Sequence, residues 1–448
     1  GHEQVFPSSS VEAYELASAR CAPRVIWRFP PRDKISGGDG VSERDILRFC
    51  FPDKEAVRFV KPEKFVAEEF VFVVTDSAGE KAYGFCRRVL PRGPGGRYDT
   101  GRYRLPECLC LVSRRPFFGL FHGVLAIAQA LRLLHPPDNG TIDIDATPPS
   151  LPHAAPRLEA LLYELLAGRG GERGGVPGPG KEMGACGHRF VRPVDELMSL
   201  DGVALTPLLV RLGPRNFLRL FSAILCERRT VLIAEDVRTL SECVHAASSM
   251  LYPFTWQHIF IPLLPTEMVE YAAAPMPFVI GVRYSQLDAV KQQPMNEAVF
   301  VHLDKGQIAG TVGMVPVADI CEGVKETLAT ASQKWDKALV KLSLLTRASS
   351  GQDRGAREER DRGSIGGGRG REGINDTASA LFAEVKAIFL KAKKTNKSLG
   401  GPMVTAEDHA LRAALLAFHV GLFGDHRVIL RRPRGGGEVE VDRDFFLT

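Results

Sequence analysis

The sequence of 448 residues contains no run of about 20 uninterrupted apolar residues, the length that a membrane-spanning helix requires. Its longest apolar stretch, residues 123–134, is interrupted by Gln129 and Arg132. The first residues, Gly1-His2-Glu3-Gln4, lack the basic and apolar regions of a signal peptide, so we expect none. These absences predict a protein of the cytoplasm.

Neither sign of charge dominates, because 58 basic residues stand against 53 acidic residues and the formal net charge is +5. A balance of this kind gives no basis for nucleic-acid binding, and we expect no nucleic-acid partner. The nine cysteines lack the regular spacing of a disulfide framework. Their pattern therefore predicts reduced, mostly buried thiols.

The motifs of covalent and metal-dependent hydrolysis are also missing, since neither Gly-x-Ser-x-Gly nor His-Glu-x-x-His occurs. Residues 175–181 resemble a P-loop, but Glu182 replaces the magnesium-binding Ser or Thr and two prolines remove N–H groups. Cys108 and Cys110 share one face of a predicted strand, yet no second pair has zinc spacing. We therefore expect no cofactor, no metal site and no covalent catalytic machinery.

Glycine and proline, by contrast, are abundant, at 44 and 30 residues. Much of this excess lies in residues 168–187 and 349–373, which contain too few apolar residues to offset the entropy of ordering. Both stretches predict flexible linkers. They divide the chain into residues 21–165, a Gly/Pro-rich loop at 166–187, residues 188–347, an Arg/Gly-rich linker at 348–375, and residues 376–448.

The first of these segments predicts an antiparallel sheet with a packed helix. Short apolar runs predict strands at residues 25–29, 46–51, 69–74, 81–87 and 108–112, followed by a helix at 116–134. The third and fourth strands form a predicted hairpin, in which Gly79 can adopt a positive φ.

The second segment alternates helices and strands, which predicts a mostly parallel sheet with right-handed crossovers. Predicted strands are residues 230–234, 256–261, 277–282 and 299–303. Predicted helices are residues 215–227, a helix opened by a capping box at Thr239, residues 266–274 and residues 324–345. The third segment predicts helices at 378–394 and 407–423.

The motifs of the second segment resemble the central part of a DENN domain. They are Leu225-Cys-Glu-Arg228-Arg229-Thr-Val-Leu-Ile, Leu251-Tyr-Pro-Phe-Thr-Trp256-Gln-His258-Ile-Phe-Ile-Pro262 and Pro275-Met-Pro-Phe-Val-Ile-Gly281. Phe49-Cys-Phe-Pro52 and Pro106-x-Cys-Leu-Cys-Leu-Val-Ser-Arg114 resemble the upstream part of the same tripartite module. The stretch from Leu411 to Arg432 and the terminal Asp444-Phe445-Phe446-Leu447 resemble its downstream part.

This resemblance implies an α/β fold of two lobes. The N-terminal lobe would be longin-like, with an antiparallel sheet and helices, and the C-terminal lobe would hold a mostly parallel sheet and a helical segment. The resemblance also implies a guanine nucleotide exchange factor that promotes GDP release from a Rab-family GTPase in membrane trafficking. Such a protein works in the cytoplasm and reaches vesicle or endosomal membranes through its partners.

We expect the GTPase contacts at polar or strand-end positions beside the motifs, namely Phe51, Arg114, Arg228, Arg229, Gln257, His258 and Asp304. One alternative comes from relatives that stimulate GTP hydrolysis with an arginine finger, for which Arg102 and Arg104 are the candidates here. A second alternative is a DENN scaffold that binds a GTPase without catalysis. The sequence leaves the choice of Rab and the oligomeric state open.

Overall fold

The computed structural model describes about half of the chain, as a mixed α/β structure with an antiparallel three-stranded sheet, a mostly parallel five-stranded sheet and helices. No helix in this part of the chain is long and apolar enough to cross a membrane. The predicted helix at 324–345 lies outside the described residues. These are 22–29, 41–52, 60, 64–76, 79–90, 105–134, 182–185, 188–191, 202–295, 298–310, 372–395, 404–423, 430–431 and 440–441.

The antiparallel sheet has the strand order β1-β2-β3, and it confirms the predicted hairpin. Its strands are β1 (Glu68–Thr75), β2 (Lys81–Val89) and β3 (Glu107–Ser113). Gly79, in the turn between β1 and β2, has a φ of +84°, which glycine adopts without a steric penalty. In the register of the sheet, Cys86 lies opposite both Phe70 and Cys110.

Helices cover both faces of this sheet. Helix α1 (Glu43–Cys50) packs on one face, where Phe49 stacks on Phe72 with the ring centroids 4.9 Å apart. Helix α2 (Phe118–Leu134) confirms the predicted helix and packs on the other face, where Phe118 lies 5.4 Å from Phe85. Gly84 is needed beneath the Phe72 ring, because a Cβ atom at this position would lie 2.0 Å from that ring.

Two of the predicted strands are wrong. Residues 46–51 belong to helix α1, which begins after Ser42, whose hydroxyl accepts a hydrogen bond from Arg44 N at 3.2 Å. This N-cap, together with acidic residues in the first helical turn, favours a helix over the strand that the apolar run indicated. Residues 25–29 form no strand; Arg28 instead pairs with Glu43 of α1 at 2.8 Å.

The five-stranded sheet has the order β10-β9-β6-β8-β7 and is parallel except for β10, as the alternation of elements predicted. Its strands are β6 (Thr230–Ala234), β7 (Ile259–Ile261), β8 (Phe278–Arg283), β9 (Val299–His302) and β10 (Gln307–Gly310). Strand β6 is buried at every residue, as expected of a central parallel strand covered on both faces.

The elements around this sheet differ from the predictions mainly at their ends. They are α3 (Thr206–Leu225), α4 (Val237–Ser249), a 3-10 helix (Thr266–Ala273) and α5 (Leu287–Lys291). Helix α3 begins before residue 215 and kinks at Gly213 and Pro214. Helix α4 is capped by Asp236, which accepts from Thr239 N at 2.8 Å, so the predicted capping box at Thr239 is wrong.

The helices predicted at 378–394 and 407–423 are confirmed as α6 (Glu372–Thr395) and α7 (Ala406–Phe423). Phe418 of α7 packs edge-on against Phe221 of α3 at 5.5 Å. Two short antiparallel pairs also occur, β4 (Glu182–Ala185) with β5 (His188–Val191) and β11 (Leu430–Arg431) with β12 (Glu440–Val441).

A buried carboxylate connects α7 to the start of α3. Asp408 Oδ1 accepts hydrogen bonds from Leu205 N at 2.7 Å, from Thr206 N at 2.6 Å and from Thr206 Oγ1 at 2.6 Å. Its Oδ2 accepts from Thr405 N and Thr405 Oγ1, both at 2.8 Å. Burial raises the pKa of Asp408, but the bonds from Thr206 and Thr405 outweigh burial and lower it.

The two sheets meet where helix α4 contacts the edge of strand β1. Ser241 Oγ accepts from Val71 N at 2.8 Å and donates to Val71 O at 2.9 Å. His245, one helical turn later, donates from Nε2 to the same Val71 oxygen at 3.1 Å. These side chains satisfy backbone groups that an edge strand leaves without a partner in the sheet.

We predict that Asp408→Ala lowers the free energy of unfolding by about 3–5 kcal/mol, because it leaves buried donors of Leu205 and Thr206 without their acceptor. Urea denaturation measures this change. Glu407→Ala, at the preceding position of the same helical turn, is the control and should change stability by less than about 1 kcal/mol. Equal losses for both variants would contradict the role assigned to Asp408.

We predict that His245 makes stability fall as pH falls from about 6.5 to about 4. Burial lowers the pKa of His245 from 6.5 to about 4, so in this window the unfolded chain binds the proton and the folded chain does not. The contribution is fully present above pH 6.5 and reaches about 3 kcal/mol.

Urea denaturation across this pH window measures the slope, which His245→Gln should reduce. Its neighbour His122 pairs with Glu69 Oε1 at 2.6 Å, and His122→Gln is the matched control for this second histidine. A slope that disappears in His122→Gln and persists in His245→Gln would contradict the assignment.

Candidate functional site

Several of the predicted contact residues lie together at the amino-terminal ends of the parallel strands. Thr230 of β6 lies opposite Val279 of β8, and Ile259 of β7 lies opposite Phe278 of β8. The residues that precede these strands therefore share one edge of the sheet. We call this edge, defined by Glu227, Arg228, Arg229, Gln257, His258 and Met276, the amino edge.

Glu227 has an uncommon backbone conformation at the end of helix α3. Its φ is +52°, in the left-handed region that favours glycine. Glu227 N donates to Ile224 O at 3.0 Å, and Arg228 N donates to Ala223 O at 2.8 Å. This pair of bonds is the Schellman motif that often ends a helix. A glutamate in the left-handed backbone region costs about 1 kcal/mol relative to glycine. This cost indicates a functional role for the Glu227 side chain.

The Glu227 side chain connects two strand ends of the amino edge. Its Oε1 lies 3.0 Å from His258 Nε2, just before strand β7. The His258 ring packs edge-on against Trp256 at 5.3 Å, and the Gln257 amide donates to Thr255 Oγ1 at 2.6 Å. The predicted residues Gln257 and His258 are thus brought beside Arg228 through Glu227.

The hairpin of the antiparallel sheet reaches the same region. Lys81, the first residue of β2, donates from Nζ to Trp256 O at 2.8 Å, and burial lowers the pKa of Lys81. Arg114, after β3, pairs with Asp76 at 2.8 Å and donates to Glu80 O at 3.4 Å. The predicted residue Arg114 therefore lies at the same end of the hairpin as Lys81, whose ammonium group contacts the segment that precedes β7.

Asp304, by contrast, lies at the carboxyl-terminal ends of the strands, on the opposite edge of the sheet. Its Oδ2 accepts from Glu235 N at 2.9 Å, and its Oδ1 lies 3.5 Å from Arg211 Nη1. Arg283 donates from Nε to Glu235 O at 3.0 Å. The structure does not bring Asp304 together with Arg228 or His258.

Phe51 follows helix α1 and is partly buried against the core. The next residue, Pro52, accepts at its carbonyl oxygen from Thr266 N at 2.8 Å and from Thr266 Oγ1 at 3.0 Å. Phe51 thus lies beside a contact between the two sheets, near the end of β7 opposite to His258. Arg102 and Arg104 lie outside the residues that the structure describes.

Several residues of this region are not among the predicted contact residues. Met276 and Tyr271, in the segment that leads into β8, are 50% and 44% exposed. The sequence contains two signals for this region. They are Lys81, the basic residue after the hairpin turn, and Met276, which lies between Pro275 and Pro277. No sequence signal indicates the left-handed conformation of Glu227.

The described residues contain one group that could hold a metal ion. The sulfur atoms of Cys50, Cys86 and Cys110 all lie within 4.8 Å of one another. The group lies between α1 and the antiparallel sheet. We expected no metal site at Cys108 and Cys110, because no second pair of cysteines has zinc spacing in the sequence.

Comparison with known domain families gives two matches. The uDENN domain model matches residues 23–89, and the DENN (AEX-3) domain model matches residues 104–306. Together they span more than half of the chain and include the antiparallel sheet, strands β6 to β9 of the five-stranded sheet and the amino edge. Helices α6 and α7 lie outside these two matches.

Several curated proteins are similar to the chain. Human DENN domain-containing protein 2B is 33% identical over 289 residues, which cover 63% of this chain and 23% of that protein. Human DENN domain-containing protein 2D is 30% identical over 304 residues, covering 65% of this chain and 57% of that protein. Human DENN domain-containing protein 2A is 34% identical over 291 residues, which cover 64% of this chain and 26% of that protein.

The chain thus spans from about a quarter to just over half of the length of these relatives. The matched part contains the hairpin, the four parallel strands β6 to β9 and the motifs around Arg228 and His258. From the two domain matches and these relatives, the chain belongs to the DENN domain family.

Proposed function

We propose that this protein is a guanine nucleotide exchange factor that promotes GDP release from a Rab-family small GTPase. The observation that carries the proposal is the amino edge, which lies within the DENN domain match and joins charged side chains to exposed Met276. Interfaces for protein partners commonly combine arginine with apolar side chains in this way.

Exchange by such a protein is a matter of binding energy. A factor that binds the nucleotide-free GTPase more tightly than the GDP-bound form must, by linkage, lower the affinity of the GTPase for GDP. It achieves this by holding the switch segments away from the phosphates and Mg²⁺. Surface residues are sufficient for this task, and we propose no cofactor and no covalent step.

The proposed arrangement has two lobes. The longin-like N-terminal lobe consists of the antiparallel sheet with α1 and α2, from residues 21–165, and the C-terminal lobe contains the parallel sheet with α6 and α7, from residues 188–347 and 376–448. The GTPase binds across the surface that joins them. Support comes from the bond of Lys81 to Trp256 O, which links the hairpin to the strand ends that carry Gln257 and His258.

Within this surface we assign the GTPase contacts to Arg114, Arg228, Arg229, Gln257 and His258. Phe51 lies after helix α1 and Asp304 lies at the carboxyl-terminal ends of the parallel strands, away from this surface. Their contacts with the GTPase stay predictions that the same assays test. We further propose that the protein acts in the cytoplasm, in membrane trafficking, and reaches vesicle or endosomal membranes through its partners.

We predict that the 448-residue chain accelerates release of a fluorescent GDP analogue from one or a few members of a Rab panel. Replacing Arg228 and Arg229 together by Glu should reduce the exchange rate at least about tenfold, because a central interface arginine contributes about 2 kcal/mol or more. The matched control is Arg219→Glu, which reverses the charge of an exposed residue of α3. Circular dichroism melting shows whether each variant is folded.

Parallel hydrolysis assays separate the alternatives. Faster GTP hydrolysis that is lost in Arg102→Ala or Arg104→Ala would replace exchange by an arginine-finger mechanism. Binding without either effect would leave a scaffold. Unchanged exchange in a folded Arg228→Glu/Arg229→Glu protein would contradict the proposed surface while leaving exchange itself intact.

We predict opposite effects of Glu227→Gly on stability and on exchange. Glycine relieves the left-handed backbone and should raise the free energy of unfolding by about 1 kcal/mol, whereas loss of the carboxylate frees His258 and should slow exchange. Urea denaturation and GDP-release kinetics measure the two effects. Glu227→Gln is the control, because glutamine keeps the length of the side chain and the left-handed backbone and removes only the charge; exchange as fast as in the wild type in both variants would overturn the role of Glu227.

A further inference from the structure

Four cysteines converge between helix α1 and the antiparallel sheet. Cys50 is the last residue of α1, Cys86 lies in β2, and Cys108 and Cys110 lie in β3. Cys86 and Cys110 are directly opposite in the register, so their side chains leave the sheet on the same face. Cys108 is two residues from Cys110 and therefore shares that face.

Three of the four sulfur atoms lie close enough together to become ligands of one zinc ion. Cys50 Sγ lies 3.7 Å from Cys86 Sγ, and the sulfurs of Cys50, Cys86 and Cys110 lie within 4.8 Å of one another. Cys108 Sγ lies 3.8 Å from Leu109 O on the same face of β3, and a rotation about its Cα–Cβ bond would turn it toward the other three sulfurs as a fourth ligand. A tetrahedral zinc ion with Zn–S bonds of about 2.3 Å holds its sulfurs about 3.8 Å apart. The three closest thiols reach this spacing if they move together by about 1 Å or less.

Charge and access around the cluster also suit a cation bound by thiolates. Arg88 lies opposite Cys108 in the register, is only 3% exposed and pairs with Glu68 at 2.6 Å. Its guanidinium group offsets part of the negative charge that four thiolates around one Zn²⁺ carry. Cys108 and Cys110 are partly exposed on the edge strand β3, which gives an ion a route to the buried Cys50 and Cys86.

We propose that Cys50, Cys86, Cys108 and Cys110 bind a structural zinc ion. Four thiolates in a tetrahedral arrangement select zinc over magnesium and calcium, because thiolate sulfur is a soft ligand and those two cations prefer hard oxygen ligands. A site closed by four protein ligands has no open position for a substrate. Its role is therefore to stabilise the fold, and it is independent of the proposed exchange activity.

The zinc ion fixes the end of α1 to the sheet. The two residues after Cys50 are Phe51 and Pro52, and Pro52 O accepts from Thr266 N at 2.8 Å beside the parallel sheet. Arg48 of α1 also pairs with Glu267 at 2.9 Å. Zinc bound at Cys50 thereby holds one of the contacts between the two sheets in place.

We predict that the 448-residue chain, purified under reducing conditions, contains about one zinc ion per molecule by elemental analysis. Replacement by Co²⁺ should give the charge-transfer and d–d absorption bands of a tetrahedral cobalt–thiolate site. Cys86→Ser and Cys110→Ser should lose the metal and the bands. The control Cys243→Ser removes another buried cysteine, in α4, and should keep both.

Absence of zinc from the wild-type chain after incubation with Zn²⁺, or metal retained in folded Cys86→Ser and Cys110→Ser, would overturn the proposal. A Cys86–Cys110 disulfide found by peptide mapping would do the same. Since a serine variant could fail to fold, chelation of the wild-type chain gives an independent measurement. Its melting temperature should fall when zinc is removed and recover when zinc is returned, and no change would contradict a structural role.

Discussion

The relation between the two sheets depends on how helix α4 satisfies one residue of an edge strand. Val71 is almost completely buried, and within the described part of the chain β1 has no neighbouring strand on the side that faces α4. Its backbone N–H and C=O would lack partners there without Ser241 and His245. Because unpaired buried backbone groups are costly, this contact resists separation of the sheets. The hydrogen bond from Lys81 Nζ to Trp256 O also requires that the two sheets keep this relative position.

The two edges of the parallel sheet have different characters. At the carboxyl-terminal ends of the strands, Glu235 bonds to both Arg283 and Asp304, so these polar groups are largely occupied within the protein. Small ligands of open α/β sheets usually bind at that edge. At the amino edge, Glu227 is held outward by a left-handed backbone beside His258. This arrangement is suited to a protein partner, which contacts side chains across a broad surface.

Much of the secondary structure follows from the sequence. The buried run at 230–234, the hairpin around Gly79 and the helices α2, α6 and α7 were predicted because periodicity and turn residues agree with the final packing. The strand predicted at 46–51 failed because a short apolar run fits a helix equally well. There, the Ser42 cap and contacts with the sheet decided the outcome.

By itself, the sequence determined the alternation of helices and strands, the mostly parallel sheet and, through motifs around Arg228 and His258, the family. Tertiary structure decided which distant residues meet. It brought Cys50 to within 3.7 Å of Cys86, and it placed Asp304 on the edge opposite to His258. The physical reason is that periodicity reports which face of an element is apolar, whereas the neighbours across that face depend on how the elements pack.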